Sequence, residues 1–282
     1  MKRTPTRRRL LAGVGAAALT GLAGCTGATP FVGKRLEEDR TIAIEDTTAL
    51  TVDAELGEVT VWSEDREDVG VQLVKQSSSV GVDLSDLHFT VEHVDGRLAL
   101  ASRYTGDNSI LGGTPNMDLT LRVPRDFTVA ELAADVGDLR AEDVAGDLTA
   151  RSSVGDVTLR DVTGTVTAAS STGDVDVRGA ERVGDVSTET GDLDVAVSAI
   201  DGDTTMESRV GDATVALSSD LDADIVAETR VGDVEVDDLS LRDVTETGNS
   251  LTGTLGDGGP TLRITTETGD VELSSLPAGS EH

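Results

Sequence analysis

The sequence contains very few aromatic residues and a single cysteine. Its 282 residues include one Trp, one Tyr, three Phe and one Cys. A core must therefore be built from Val, Leu, Ile and Ala, and no disulfide can form within the chain. A lone thiol also cannot build a zinc site. These shortages exclude a small fold held together by disulfides or by a cysteine-rich metal centre.

Basic residues are scarce, and lysine is almost missing. The chain carries 23 Lys and Arg residues against 53 Asp and Glu residues, a formal net charge of −30. Such a surface repels nucleic acid, so we expect no nucleic-acid partner. An acidic, lysine-poor surface is typical of proteins from extreme halophiles. At molar salt the Debye length falls to about 3 Å, and dense carboxylates no longer repel one another. An acidic surface protein of a mesophile is the alternative interpretation.

The motifs that carry most catalytic chemistry are absent. There is no G-x-S-x-G, no H-E-x-x-H and no phosphate-binding loop. No aromatic residue follows Phe127, so that part of the chain lacks a stacking platform for sugars. His88 and His93 are five residues apart and would lie on opposite faces of a straight strand. We therefore expect no catalytic residue, no metal site and no cofactor.

Residues 1–24 have the pattern of an export signal rather than of a folded segment. Arg7 and Arg8 resemble the arginine pair of the twin-arginine motif, and Arg8 with Arg9 is the other possible frame. An apolar run over residues 10–24 follows. It is shorter than the roughly 20 residues that a helix needs to cross a bilayer.

The apolar run ends in Leu22-Ala23-Gly24-Cys25, which resembles a lipobox. In that signal a peptidase cuts before the cysteine, whose thiol has been alkylated by lipid. Cys25 is therefore the predicted lipidation site. The mature chain would be held by this lipid anchor on the outer face of the cytoplasmic membrane, at the cell surface. Residues 25–40 are predicted to be a tether.

Residues 41–128 alternate between apolar and polar side chains, as in Val59-Thr60-Val61-Trp62. This period of two is typical of strands with one buried face. Turn residues such as Asp95-Gly96 separate the runs, and residues 106–115 form a polar, glycine-rich loop. The pattern predicts an N-terminal antiparallel β cap.

A Gly-Asp unit followed by an apolar residue recurs in the second half of the chain. Its glycines are Gly137, Gly155, Gly173, Gly191, Gly211, Gly232 and Gly269. The first three steps are 18 residues and the later ones 20, 21 and 37. A period near 20 indicates stacked repeats that cannot bury their apolar faces alone. Glycine suits the positive φ of a corner, and aspartate can bond its own backbone there.

Residues 129–275 are therefore predicted to form a β-solenoid of stacked short-strand coils, each of about 18–21 residues. Val157, Val175 and Leu193 should lie in one inward column. Further glycines at Gly146, Gly164, Gly184 and Gly202 predict two or more strands in each coil. The fold class is all-β. Residues 276–282 are a polar tail, and the strand Val271–Leu273 is expected to be an open edge available for docking.

The repeats, together with three further segments, carry a resemblance to a known family. The segments are Gly57-Glu58-Val59-Thr60-Val61, Leu119-Thr120-Leu121-Arg122-Val123-Pro124, and Gly253-Thr254-Leu255-Gly256-Asp257-Gly258 with Thr268-Gly269-Asp270-Val271-Glu272-Leu273. Over most of residues 41–275 the chain resembles the putative-adhesin domain family of bacterial and archaeal surface proteins. The resemblance implies a β-solenoid-like fold and a surface location, and it supplies no catalytic residues.

These observations favour a lipid-anchored, adhesin-like protein with a structural or interaction role at the cell surface. Its partners would be envelope proteins or glycans, along with the membrane that holds the anchor. Two alternatives stay open. The corner aspartates could form a calcium-dependent binding module, although the doubled glycine of calcium-binding β-rolls is missing. A pair of carboxylates could also act on a surface polysaccharide.

Overall fold

The computed structural model describes residues 33–79, 81–106 and 115–276. Several predicted features lie outside the described residues. These are the export signal with Arg7 and Arg8, the lipidation site Cys25, the first part of the tether, residues 107–114 of the predicted loop and the tail from residue 277.

The described residues form 23 strands and one short 3₁₀ turn at Leu84–Asp86. The N-terminal strands are β1 (Lys34–Ala43), β2 (Ala49–Leu56), β3 (Val59–Glu64), β4 (Asp68–Ser77), β5 (Leu87–Val94), β6 (Arg97–Tyr104) and β7 (Asn116–Pro124). The central strands are β8 (Thr128–Val136), β9 (Leu139–Ala145), β10 (Leu148–Val154), β11 (Val157–Thr163), β12 (Thr165–Thr172), β13 (Val175–Arg178), β14 (Arg182–Thr190), β15 (Leu193–Val197), β16 (Thr204–Val210) and β17 (Ala213–Leu217). The C-terminal strands are β18 (Ala223–Val231), β19 (Val234–Asp237), β20 (Arg242–Thr247), β21 (Ser250–Leu255), β22 (Thr261–Thr268) and β23 (Val271–Ser275).

The strands form two facing ladders around a shared core. The order in the first sheet is β5-β6-β2-β8-β10-β12-β14-β16-β22-β18-β21-β20. The order in the second sheet is β1-β4-β7-β3-β9-β11-β13-β15-β17-β23-β19. Successive coils pair in parallel register, which confirms the predicted all-β, solenoid-like fold.

Each coil supplies one strand to each sheet and turns between the sheets at a Gly-Asp corner. The strand after the corner places alternate side chains inward, so that Val157 pairs with Val175, and Val175 with Leu193. These three side chains are 0–1% exposed. The predicted apolar column is confirmed, and burial of such aliphatic side chains is the main force that holds neighbouring coils together.

The N-terminal region is continuous with the coils. β2 and β3 lie in parallel register with β8 and β9, so the packing runs across the predicted boundary at residue 129. Within this region the antiparallel pairs are β1 with β4, β4 with β7, and β5 with β6. The predicted tether needs a correction at its end. Residues 34–40 belong to β1, which pairs with β4 along its whole length, so the backbone groups on that side of the strand are hydrogen-bonded.

The last coil in the sequence is not the last coil in space. β22 lies between β16 and β18, and β23 lies between β17 and β19. The expectation that Val271–Leu273 forms an open edge is therefore wrong. The β20–β21 hairpin provides the chain length that lets the final coil return and insert.

One of the predicted secondary corners is also misplaced. Gly184 lies within β14, at a shift in register between β12 and β14. The chain turns earlier, at Gly179, whose φ is +66°. Asp185, next to Gly184, still links neighbouring coils, because its Oδ1 accepts a hydrogen bond from the Thr205 N–H at 2.9 Å.

The corner glycine cannot be replaced without strain. Gly173 has a φ of +143°, and a Cβ there would lie 2.3 Å from the carbonyl oxygen of Gly155 in the preceding coil. We expect Gly173→Ala to lower the free energy of unfolding by roughly 2 kcal/mol or more. Gly202→Ala is the matched control, since a Cβ there has no neighbour within 4 Å. Urea unfolding of both variants checks this, and equal losses would contradict the stacked-corner geometry.

Candidate functional site

The repeated corners place a ladder of aspartates along one edge of the stack. The N–H groups on either side of Asp156 bond forward to the next coil: Gly155 N–H donates to the Thr172 carbonyl, and Val157 N–H to the Asp174 carbonyl, both at 2.8 Å. The Asp156 N–H itself points the other way. It donates to Oδ1 of Asp138 in the previous coil at 2.9 Å. Each corner carboxylate therefore satisfies a backbone donor that the strand ladder leaves unpaired.

The same bond repeats through most of the stack. The successive donor–acceptor pairs are Asp174 to Asp156, Asp192 to Asp174, Asp212 to Asp192, Asp270 to Asp212 and Asp233 to Asp270, at 2.8–2.9 Å. The sequence analysis expected each aspartate to bond its own backbone. The structure instead shows that the acceptor serves the following coil in space.

A second set of bonds lies just inside the corners. Ser152, Ser170, Thr188 and Ser208 are buried, and their hydroxyls donate to the carbonyls of Gly137, Gly155, Gly173 and Gly191 at 2.9–3.0 Å. A buried hydroxyl without a partner would be costly, and here the corner carbonyl supplies one. The sequence analysis missed this column, although the recurring Ser or Thr two residues before the exposed Val or Thr at each corner is its signal.

The first position of the aspartate ladder differs from the rest. Asp118 on β7 accepts the Glu58 N–H at 3.1 Å, the Gln76 amide at 3.0 Å and the Asn116 amide at 2.9 Å. Burial raises the pKa of the Asp118 carboxyl above its usual range, an effect that the hydrogen bond from Glu58 opposes. Asp118 thus starts the stack of corners rather than forming a separate site.

An exposed row of mostly β-branched side chains borders the corners. It occupies the position before each corner glycine and runs, in spatial order, through Leu56, Val136, Val154, Thr172, Thr190, Val210, Thr268 and Val231. Val136, Val154, Val210 and Val231 are 47–61% exposed. With neighbouring strands about 4.8 Å apart, the row extends for about 34 Å. The exposed valines are interrupted by Thr172, Thr190 and Thr268, so the row presents both methyl and hydroxyl groups to solvent.

The outer face of the second sheet carries a paired charge network. Thr158, Asp176 and Asp194 lie side by side on adjacent strands. Arg160 lies 3.2 Å from Asp176, and Arg178 bridges Asp176 at 3.1 Å and Asp194. Thr158, Asp176 and Asp194 thus form an outward polar row, whereas Asp156, Asp174 and Asp192 belong to the corner ladder.

A shallow cavity of about 300 Å³ lies on the first sheet, over β16, β22 and β18. It contains Glu207 and Glu228, which flank Thr265 in register, and Arg230, which lies 3.6 Å from Glu267. Two carboxylates beside a cation are the feature that the polysaccharide-enzyme alternative requires. Glu207 and Glu228 are both exposed to solvent, however.

The remaining candidate ligands are dispersed. His88 bonds to the Thr105 hydroxyl and His93 to the Ala43 carbonyl, each at 3.1 Å, and both side chains are exposed. Among the described residues, no group of three or more His, Cys, Asp or Glu side chains is placed to hold a metal ion. The same part of the chain has no helix long and apolar enough to span a membrane.

The chain belongs to the Toastrack DUF4097 family, whose model matches residues 89–274. No curated protein matches the sequence. Solved structures with a similar course include a putative cell adhesion protein of Clostridium sporogenes, with 13% identity, a TM-score of 0.36, and coverage of 86% of this chain and 100% of that one. A putative adhesin of Bacteroides fragilis has 15% identity, a TM-score of 0.41 and coverage of 86% and 97%. A putative lipid binding protein of Parabacteroides distasonis has 14% identity, a TM-score of 0.40 and the same coverage.

The hydrogen bond made by a corner carboxylate is expected to stabilise the fold without any need for its charge. Asp192→Ala removes the acceptor of the Asp212 N–H and should lower the free energy of unfolding by about 1 kcal/mol. Asp192→Asn keeps the Oδ1 acceptor and relieves repulsion along the ladder, so we expect stability at low salt to be unchanged or increased. Urea titrations in low salt measure both effects.

Asp220→Ala serves as the control for loss of one charge, because Asp220 is exposed and its side chain bonds to no other described residue. If Asp192→Asn were as damaging as Asp192→Ala, the role of the carboxylate would depend on its charge, as cation binding requires. That result would contradict a purely structural ladder.

Proposed function

We propose that this chain is a lipid-anchored, adhesin-like interaction module on the outer face of the cytoplasmic membrane. Arg7 and Arg8 would direct its export, and Cys25 would carry the lipid. Membership of the Toastrack DUF4097 family is compatible with this role. The proposal excludes a nucleic-acid partner, because the net charge of −30 repels phosphate backbones.

One observation carries the proposal: the recurring residues of the repeat form their hydrogen bonds within the stack itself. The corner aspartates and the buried hydroxyls beneath them bond to backbone groups of neighbouring coils. What the stack presents outward is a long, regular surface with an exposed row of valines and threonines and rows of paired charges. Repeat proteins use such extended surfaces to bind extended partners, and envelope proteins or glycans fit that description.

The proposal is tested in cells that lack the native protein and carry either the full-length wild-type chain or Cys25→Ser. We expect the wild type in the membrane fraction with a mature N-terminus at a lipid-modified Cys25, and Cys25→Ser released from it. Cross-linking on intact cells should capture an envelope protein or glycan with the wild type. A Cys25→Ser protein that stays on the membrane would contradict the anchor, and a wild type without any captured partner would contradict the interaction role.

The polysaccharide-enzyme alternative is tested separately on the cavity over β16, β22 and β18. If the purified chain hydrolysed a surface polysaccharide and Glu228→Gln abolished the activity, the protein would be an enzyme. An exposed pair of carboxylates predicts no such hydrolysis.

A further inference from the structure

The outer face of the second sheet contains an unusual group near its N-terminal end. Trp62 on β3, the only tryptophan of the chain, lies beside Arg122 on β7 and Glu142 on β9. Its indole Nε1 donates to Oε1 of Glu64 at 3.2 Å, which fixes the orientation of the ring. Trp62 and Arg122 are half-buried, and both side chains face outward because their neighbours Val61 and Leu121 point into the core.

Arg122 has no partner within the described part of the chain. Its Nε is buried without a hydrogen bond, and no ion pair or hydrogen bond joins its guanidinium to another described residue. Its nearest positions in the sheet are Gly70 and Trp62 across the strands, and Thr120 and Pro124 along β7. None of these is acidic, and the nearby carboxylates of Glu64 and Asp68 are bound to the Trp62 indole and to Arg66 instead. An unpaired, partly desolvated cation is costly, and it is unexpected in a chain with 53 acids.

A second guanidinium lies beside Arg122, and its charge is balanced by Asp68 and Glu64. The Arg66 guanidinium covers Gly70, where a Cβ would lie 2.4 Å from its Nη1, so it occupies the same face. Arg66 is already paired with Asp68 at 2.5 Å. On the other side of Trp62, Arg140 is in register with Thr60 and is also unpaired among the described residues.

These residues define the Trp62 face: Trp62, Arg122, Arg140, Thr60 and Gln72. Arg122 and Arg140 are separated by two strand spacings and by two residues along the strands, which places their Cα atoms about 12 Å apart. Trp62 lies on the strand between theirs, in register with Arg122. Thr60 and Gln72 add outward donors and acceptors on the same face.

We propose that the Trp62 face binds a carboxylate-bearing sugar unit of a surface polysaccharide. The planar guanidinium of Arg122 matches a carboxylate and can donate two parallel hydrogen bonds to it. The indole supplies a rigid apolar platform for the C–H face of a pyranose ring, while the N–H at the edge of the indole forms hydrogen bonds. Arg140 reaches a second acidic unit farther along the same glycan.

The net charge of the protein decides which anions this face accepts. A charge of −30 repels long polyanions at low salt. At about 1 M salt the Debye length is about 3 Å, so only charged groups in direct contact still attract or repel one another appreciably. A short acidic oligosaccharide therefore binds through Arg122 while the rest of the surface is screened. This inference rests on the proposed surface role and names the ligand class for it.

Trp62 makes the test specific, since all tryptophan fluorescence comes from this face. The full chain is titrated with trigalacturonate in about 1 M KCl, and with the neutral trisaccharide in which each carboxylate is reduced to an alcohol. We expect a saturable fluorescence change with trigalacturonate. Arg122→Ala should weaken binding at least about tenfold. Arg122→Lys, which keeps the charge but loses the planar fork, should weaken it to a smaller degree.

Arg151→Ala is the matched control. Arg151 is also unpaired among the described residues, but it lies on β10 in the first sheet, so its loss should leave binding unchanged. Thermal melting of every variant separates loss of binding from loss of fold. The inference is overturned by the absence of saturable binding, by equal binding of the neutral trisaccharide, by equal binding of oligoglutamate, or by equal effects of Arg122→Ala and Arg151→Ala.

Cells that carry Arg122→Ala distinguish this inference from the proposed function. If the wild type captures an envelope partner and Arg122→Ala captures it equally well, the Trp62 face is not the glycan site and the interaction role stands. If the wild type captures nothing, the interaction role fails, whatever the fluorescence titration shows.

Discussion

The structure depends on how closely one Gly-Asp corner stacks on the next. At each corner the carbonyl of one glycine fills the space that a side chain of the next would need, as Gly155 does for Gly173. The following N–H turns away from the strand ladder and has no backbone acceptor. The carboxylate of the preceding coil supplies it, as Asp156 does for Asp174. Both residues of the repeat are therefore dictated by stacking, because one must lack a Cβ and the other must present an acceptor at short reach.

This stacking constraint divides the residues of each coil into those that hold the stack together and those that face solvent. The corner positions and the inward Val and Leu columns are committed to the stack, and the buried Ser and Thr hydroxyls are committed to the corner carbonyls. Only the outward positions are free to vary. Under the proposed interaction role, recognition depends on outward side chains such as Val136, Trp62 and Arg122. A stack of this design can change its outward side chains without changing its fold.

Sequence reasoning succeeds where the period alone decides the outcome. The column through Val157, Val175 and Leu193 follows from an 18-residue repeat and a strand period of two. It fails where the order of coils matters. The units at Gly232 and Gly269 are chemically equivalent, so nothing local says that the second inserts before the first. It also fails at β1, whose charged residues resemble a linker and become a strand only because β4 offers a full-length partner.

The Trp62 face could not be found from the sequence for a related reason. Trp62 and Arg122 are 60 positions apart, and their adjacency depends on the parallel register of β3 and β7. The direction of the aspartate bonds was also inaccessible, because an aspartate beside a corner can serve its own backbone or that of a neighbouring coil. Alternation predicts which residues face outward, but only the pairing of distant strands shows which of them meet.

Amide hydrogen exchange tests the central claim most directly. If the corner carboxylates bond to the next coil, the Asp212 N–H, which donates to Asp192 at 2.8 Å, should exchange only when the coil opens. Its protection should then be close to that of the Leu193 N–H, which donates to the Asp212 carbonyl at the same corner. Exchange of the Asp212 N–H at the rate of an unstructured peptide, with Leu193 still protected, would show that the aspartates are solvated turn residues and would contradict the account.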